Sequence, residues 1–304
     1  MKAAVLYEYG GPDKLRYEDF PDPTPGEGEV LIRMAATSIN PIDLKMRSGA
    51  AKERFPVEFP AILGRDIAGT IRTLGPKVDG MGFAPGDKVI ALGNHTYAEL
   101  VVAKAADLTH LPEGLDLVEA AALPLVTLTG EQLITRGTKI QSGQTVLVTG
   151  ALGNVGRTAV FVAKKAGATV IAGVRKSQLK QAGELGADEV LALDDEAAMA
   201  KLGFLDAVAD TVNGETAQKL LAKVKQGGVF ASVLGPPANA KLHPTIHIEP
   251  VRVVPDPAAL STLAEDVLAR RFKIPIDRMM PLEKAAEAHA AAEKGGTGKI
   301  LLLA

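Results

Sequence analysis

The 304-residue sequence contains no cysteine. Disulfides, a thiolate nucleophile and thiolate-ligated metals are therefore excluded, and with them several hydrolytic and redox chemistries. Tyrosine is scarce, with four residues in all, so a tyrosine proton donor has few candidates. A charge excess is also missing. A formal net charge of -2 and a pI near 6.2 create no field for phosphate backbones or acidic lipid, and neither nucleic acid nor a membrane is expected as a partner. No apolar run is long enough for a membrane helix. Met1 leads directly into KAAVLYEYG without a basic or apolar leader pattern, so the expected location is cytoplasmic.

What is present is the composition of a globular chain that buries a continuous core, 47% hydrophobic and 23% charged. The length predicts two unequal domains. From Met1 to about Ala122 the chain is punctuated by Pro and Gly and broken into short apolar runs, Val30–Met34, Ala68–Leu74, Lys88–Leu92 and Ala98–Ala103, which read as antiparallel β. Between Leu123 and Arg270 buried strands alternate with helical patterns, the sign of a parallel sheet under covering helices. The expected strands are Thr145–Val148, Thr169–Val174, Glu189–Leu193, Ala207–Asp210, Gly228–Leu234 and Arg252–Val254, with helices at Val155–Ala166, Ser177–Leu185 and Thr216–Val224. After Phe272 come a helix from Leu282 to about Glu293 and a final strand, Lys299–Leu303, which returns to the first domain for a pairing partner.

The most informative segment begins at Thr145, where TVLVTGALGNVG turns from a buried strand through Gly150, Gly153 and Gly156 into a helix. Glycines at such a turn permit unusual backbone angles and let amides approach a pyrophosphate at the positive helix end. Gly150, Ala151, Gly153, Asn154 and Val155 are the expected cofactor contacts there, and Gly156 allows close packing of helix on strand. The second strand ends in Arg175, Lys176 and Ser177, where an NAD site presents an acid to the ribose hydroxyls. Two cations and a hydroxyl suit a dianionic 2′-phosphate, so NADPH is the expected cofactor; the competing reading is a solvated pair of basic loop residues. Val212, Asn213, Leu234 and Gly235, at later strand ends, are further candidates for cofactor contact.

With these features in place, the chain resembles the zinc-independent quinone oxidoreductase and enone reductase branch of the medium-chain dehydrogenase/reductase superfamily. The resemblance is carried by MKAAVLYEYGGPDKL, INPIDLKMRSG, LGRDIAG, PGDKVIAL, TYAELVV, AAALPLVTLTG, the glycine turn and GGTGKILLL. It implies an α/β fold with a GroES-like β-rich catalytic domain over 1–122, completed by 271–304, and a Rossmann doubly wound parallel sheet over 123–270. It further implies a homodimer. Thr127, in AAALPLVTLTG, joins the candidate cofactor contacts. Where metal-dependent relatives carry zinc ligands, this chain has Asn40, Asp43, Arg65 and Asp66, and no metal is expected. The five histidines, His95, His110, His243, His247 and His289, are scattered and read as surface or packing residues.

Without a metal, negative charge developing on a conjugated carbonyl needs positioned hydrogen-bond donors. This points to an enone, an enal or a quinone rather than a simple alcohol. The candidates lie in INPIDLKMRSG: Asn40 to donate to the substrate carbonyl or the nicotinamide ribose, Lys45 to donate and to protonate the enolate, and Asp43 to orient Lys45 or a ribose hydroxyl. Asn40 also reads as a turn residue before Pro41, and Lys45 as a solvated helix residue. Asp66 is expected to accept from loop amides, and Tyr97 to pack within a strand. Two other functions stay open: a pathway-specific enoyl reductase, and an NADPH-binding redox-sensing or structural protein without turnover.

Overall fold

The change of hydrophobic pattern near residue 123 marks a change of architecture in the computed structural model, which describes residues 1–296 and 298–304. Thr297, inside the GGTGKILLL motif, lies outside the described residues. The chain divides into one unit of Met1–Leu125 with Val254–Ala304 and a second of Val126–Val253.

In the second unit six strands form one parallel sheet, in the order Glu189–Ala192, Thr169–Val174, Thr145–Thr149, Leu205–Asp210, Val224–Ser232, His247–Pro250. Both faces are covered, which is why its strands read as unbroken apolar runs. Val146 and Val148 face one core cluster and Leu147 the other. The order of strand addition reverses between Thr145–Thr149 and Leu205–Asp210, which run parallel, and the carboxyl ends of strands beside such a switch form a ligand crevice.

The first unit is mostly antiparallel. Strand Glu29–Ser38 pairs with Asp66–Leu74 on one side, and Asp66–Leu74 continues to Lys88–Leu92. On its other side Glu29–Ser38 meets both Leu100–Lys104 and the terminal strand Lys299–Leu303, so the tail does return to this unit. Among the described residues no helix is long and apolar enough to cross a membrane.

Several expected elements shift. The sixth strand is His247–Pro250, not Arg252–Val254; it pairs in parallel with Val224–Ser232, and Pro250 and Pro255 keep the following segment out of the ladder. Ser177–Leu185 is not one helix but three short turns, Lys176–Gln178, Leu179–Ala182 and Gly183–Leu185, with Ala182 as the one buried residue to hold them. The expected unit boundary at 270 moves to 253. Helix Pro257–Leu268, N-capped by Asp256, packs beside strand Thr109–His110 and so belongs with the first unit. Strand Ile276–Pro281, parallel to the terminal strand, and helix Glu196–Lys201 had no clear signal in the sequence.

A Cβ on Gly156 would lie 2.3 Å from the carbonyl oxygen of Gly150 and 2.8 Å from Ala151 Cα, both backbone atoms that cannot swing away. Gly156→Ala is therefore expected to cost about 2 kcal/mol of stability, read as a fall in Tm. Gly183→Ala, where nothing lies within 4 Å, serves as the neutral control.

Candidate active site

Two polar constructions stand out, one in each unit. In the second unit the carboxyl ends of three strands are tied together by Asp210, which is fully buried. Its Oδ1 accepts from Thr149 Oγ1 at 2.9 Å and from the amides of Val212 and Asn213 at 3.2 and 3.1 Å, while Oδ2 accepts from Ser232 Oγ at 2.7 Å. This carboxylate shapes the crevice and holds Asn213 at a φ of 60°, as N-cap of helix Gly214–Leu221.

The glycine turn faces that crevice. Gly150 adopts a φ of 60°, and a Cβ there would meet Thr211 Oγ1 at 2.5 Å. Gly153 is exposed and caps helix Asn154–Lys165, whose first-turn amides lack intrahelical acceptors. At the same helix end, Asn154 Oδ1 is buried without a hydrogen-bond partner among the described residues. Val212 and Leu234 are exposed apolar residues at their strand ends, and Gly235 adds a φ of 102°. A glycine cradle and open backbone amides fit a dinucleotide pyrophosphate. Two expected contacts have buried side chains. Thr127 is fully buried in helix Pro124–Gln132, and Ala151 is buried with its amide donating to Gly173 O at 3.2 Å.

At the end of the second strand Arg175, Lys176 and Ser177 are all exposed, but the two cations differ. Lys176 Nζ is paired with Asp195 Oδ2 at 2.9 Å, and its amide donates to Asp194 Oδ1. The expected pair of free cations is thus reduced to one. The Arg175 guanidinium has no ion-pair partner among the described residues.

In the first unit, Asn40 N-caps helix Pro41–Ser48, and Asp43 Oδ2 accepts the Asn40 amide N–H at 2.8 Å. The Asn40 side chain is 1% exposed and engaged at both ends: Oδ1 accepts from Lys299 Nζ at 2.6 Å, and Nδ2 donates to Asp66 Oδ2 at 2.7 Å. Lys299 also donates to Ile39 O at 3.2 Å and lies 3.7 Å from Asp66. Ser38 Oγ donates to Asp66 Oδ2 as well, and Asp66 Oδ1 accepts the Leu125 amide at 2.7 Å. Burial pushes the Lys299 ammonium down from its ordinary value, against the opposing pull of Asp66 and Asp43.

These contacts revise the expected roles. Asn40 is a clamped structural amide, not a free donor. Asp43 does not orient Lys45: it is buried, bonded to Asn40 and to Tyr97 Oη at 3.1 Å, whereas Lys45 is exposed on the opposite helix face. The Lys45 ammonium has no partner among the described residues and is the available donor of the three. Tyr97 lies outside any strand, and its hydroxyl also meets His289 Nε2 at 3.1 Å. Sequence reading missed Lys299, Tyr97, His289 and Arg47 as site residues. The available signals were a lysine opening the apolar strand KILLL and an Asp43 to Arg47 spacing that shares one helix face.

Residues 26–113 match the model of the alcohol dehydrogenase GroES-like domain, and residues 185–302 match that of a zinc-binding dehydrogenase. The chloroplast envelope quinone oxidoreductase homolog of Arabidopsis thaliana is 32% identical over 325 aligned positions, covering 99% of this chain and 98% of that protein. The chain belongs to the medium-chain dehydrogenase/reductase family. Among solved structures, the quinone oxidoreductase of Coxiella burnetii superposes with a TM-score of 0.87 at 28% identity, covering 100% of this chain and 99% of that one. A mycobacterial protein solved with NADPH gives the same score and identity over the full length of both chains. This family member is a nicotinamide-dependent oxidoreductase with an α/β fold, a GroES-like domain and a Rossmann-like domain. Its residues do not fit a zinc ion: there is no cysteine, Asn40 accepts from Lys299 and Asp66 is ion-paired with it, and the described residues contain no group of three or more His, Asp or Glu that could hold a metal.

Burial raises Asp43 to about 6, and burial with the nearby Arg47 charge lowers His289 to about 3. The signs oppose one another. A raised carboxyl makes the native state bind more protons than the unfolded chain, so its contribution to stability is lost as pH rises from about 4 to 6. A depressed imidazole makes the unfolded chain bind more, so its contribution grows as pH rises from about 3 to 6.5. The wild-type curve should be nearly flat across this window. Asp43→Asn should unmask a rise with pH, about 3 kcal/mol steeper than wild type between pH 4 and 6, in urea denaturation at stepped pH. Parallel curves would refute the assignment.

Proposed function

We propose that the protein is an NADPH-dependent reductase that delivers hydride to a quinone or to the conjugated C=C of an enone or enal, without a metal. The observation that carries the cofactor choice is the unpaired Arg175 guanidinium beyond the second strand, where an NAD site would present a carboxylate. A free guanidinium suits bidentate bonding to a 2′-phosphate, and the exposed Ser177 hydroxyl can add a bond. The names of the relatives support the quinone acceptor, and a conjugated enone or enal is the chemically similar alternative for a site whose residues do not fit zinc.

Gly150, Gly153, Asn154 and Val155 would hold the pyrophosphate, with Val212, Asn213, Leu234 and Gly235 lining the crevice. The bound nicotinamide supplies the hydride. Electron density from the conjugated system then collects on the substrate's carbonyl oxygen, and Lys45 is proposed to donate toward that oxygen and to deliver the proton that completes reduction. Asn40 and Asp43 contribute by fixing the start of the helix that carries Lys45. A homodimer is part of the same reading: His247–Pro250 ends the sheet with its outer edge unpaired among the described residues.

Mixing protein, NADPH and a panel of enones, enals and quinones should consume reduced-cofactor absorbance. NADPH binding without turnover on any acceptor would overturn the reading in favour of a binding protein. Arg175→Asp should weaken NADPH roughly tenfold or more while leaving NADH nearly unchanged, measured by cofactor fluorescence titration. Equal weakening of both would remove Arg175 from the phosphate site. Lys45→Ala should lower kcat by about a hundredfold with NADPH affinity intact, and an unchanged kcat would exclude it as the donor.

A further inference from the structure

A line of hydrogen bonds crosses the first unit and has no task in the reaction as described. A guanidinium can only donate, so Arg47 Nη1, 3.4 Å from His289 Nδ1, makes that nitrogen an acceptor. His289 is fully buried and neutral at ordinary pH, so its single proton sits on Nε2 and points to Tyr97 Oη at 3.1 Å. Burial and the neighbouring Asp43 hold Tyr97 as a phenol, and its hydroxyl donates to Asp43 Oδ2 at 3.1 Å. Every bond runs one way, from a cation to a carboxylate. At the outer end Arg47 is anchored by Gly10 O and by the partly exposed Glu293. At the inner end Asp43 accepts the Asn40 amide.

We propose that Tyr97 and His289 are positioning residues for the reduction: the chain Arg47→His289→Tyr97→Asp43 fixes the carboxylate that caps the Asn40 turn, and so sets the helix that presents Lys45. The kinetic half of this inference rests on the reductase reading above. Asp43 is otherwise faced by Asp66 from strand Asp66–Leu74, which disfavours its charge, and by Lys299 from the terminal strand, which favours it. Its Oδ1 has no hydrogen-bond partner among the described residues, so the bonds to Oδ2 carry its stabilisation. The Tyr97 hydroxyl favours the ionised form, so removing it shifts Asp43 toward the neutral acid.

The test uses the full chain with NADPH and 1,4-naphthoquinone as the probe acceptor. Tyr97→Phe keeps the ring and removes one donor; kcat should fall about tenfold while KM for NADPH stays within about twofold. The acid limb of the kcat profile should move to higher pH. His289→Leu should do the same. His289→Gln, whose amide can accept from Arg47 and donate to Tyr97, should recover most of the loss. Independently of turnover, the carboxyl-carbon NMR resonance of Asp43, assigned by its loss in Asp43→Asn, should titrate at higher pH in Tyr97→Phe and in His289→Leu. If Tyr97→Phe does not fold, the His289 pair of variants decides. Wild-type kcat and an unmoved Asp43 midpoint in folded variants would overturn the proposal. An inert wild-type protein would instead overturn the reductase reading, so the two failures are told apart.

Discussion

The first unit is organised around an ammonium group with almost no contact with water. Lys299 is 3% exposed, and removing such a charge from solvent costs several kcal/mol unless partners replace the lost hydration. Here the replacement comes from the Asn40 amide oxygen, the Ile39 carbonyl and the Asp66 carboxylate. Asp66, in turn, accepts from Ser38 and Asn40 in one stretch of chain and from Leu125 in another. One buried charge thereby locks the end of strand Glu29–Ser38, the start of helix Pro41–Ser48, strand Asp66–Leu74 and the terminal strand into a single arrangement.

The second unit solves an analogous problem with a carboxylate. Asp210 gathers Thr149, Ser232 and two loop amides, and so fixes the ends of three neighbouring parallel strands at the point where the strand order reverses. The floor of the crevice is an acid bonded at both oxygens, and the glycine turn stands open beside it. Binding there needs little ordering of the protein, since the amides already stand at the helix end.

What could be read from the sequence follows the range of the interactions. The glycine turn, its helix and the second strand are contiguous, so Gly150 to Ser177 carried both the architecture and the nature of the ligand. The Rossmann-like sheet was legible because burial on both faces leaves unbroken apolar runs. The clamp on Asn40 was not: Lys299 lies 259 residues away, and His289 lies 192 from Tyr97. A local pattern carries no information on such pairings, and Lys45, the residue that looked chemical, proved to be exposed while its neighbours turned inward. Lys176 fails for the same reason, since its neutralising partner Asp195 belongs to the next strand's loop.

The placement of Lys299 has a consequence for how the molecule is made. Strand Lys299–Leu303 lies beside Glu29–Ser38, and the whole central unit is synthesised between the two. Until that strand emerges from the ribosome, Asp66 and the Asn40 oxygen lack their cation, and the nascent amino-terminal half carries an unneutralised acid in its interior. The amino-terminal unit can therefore reach the arrangement described above only once Lys299 is in place.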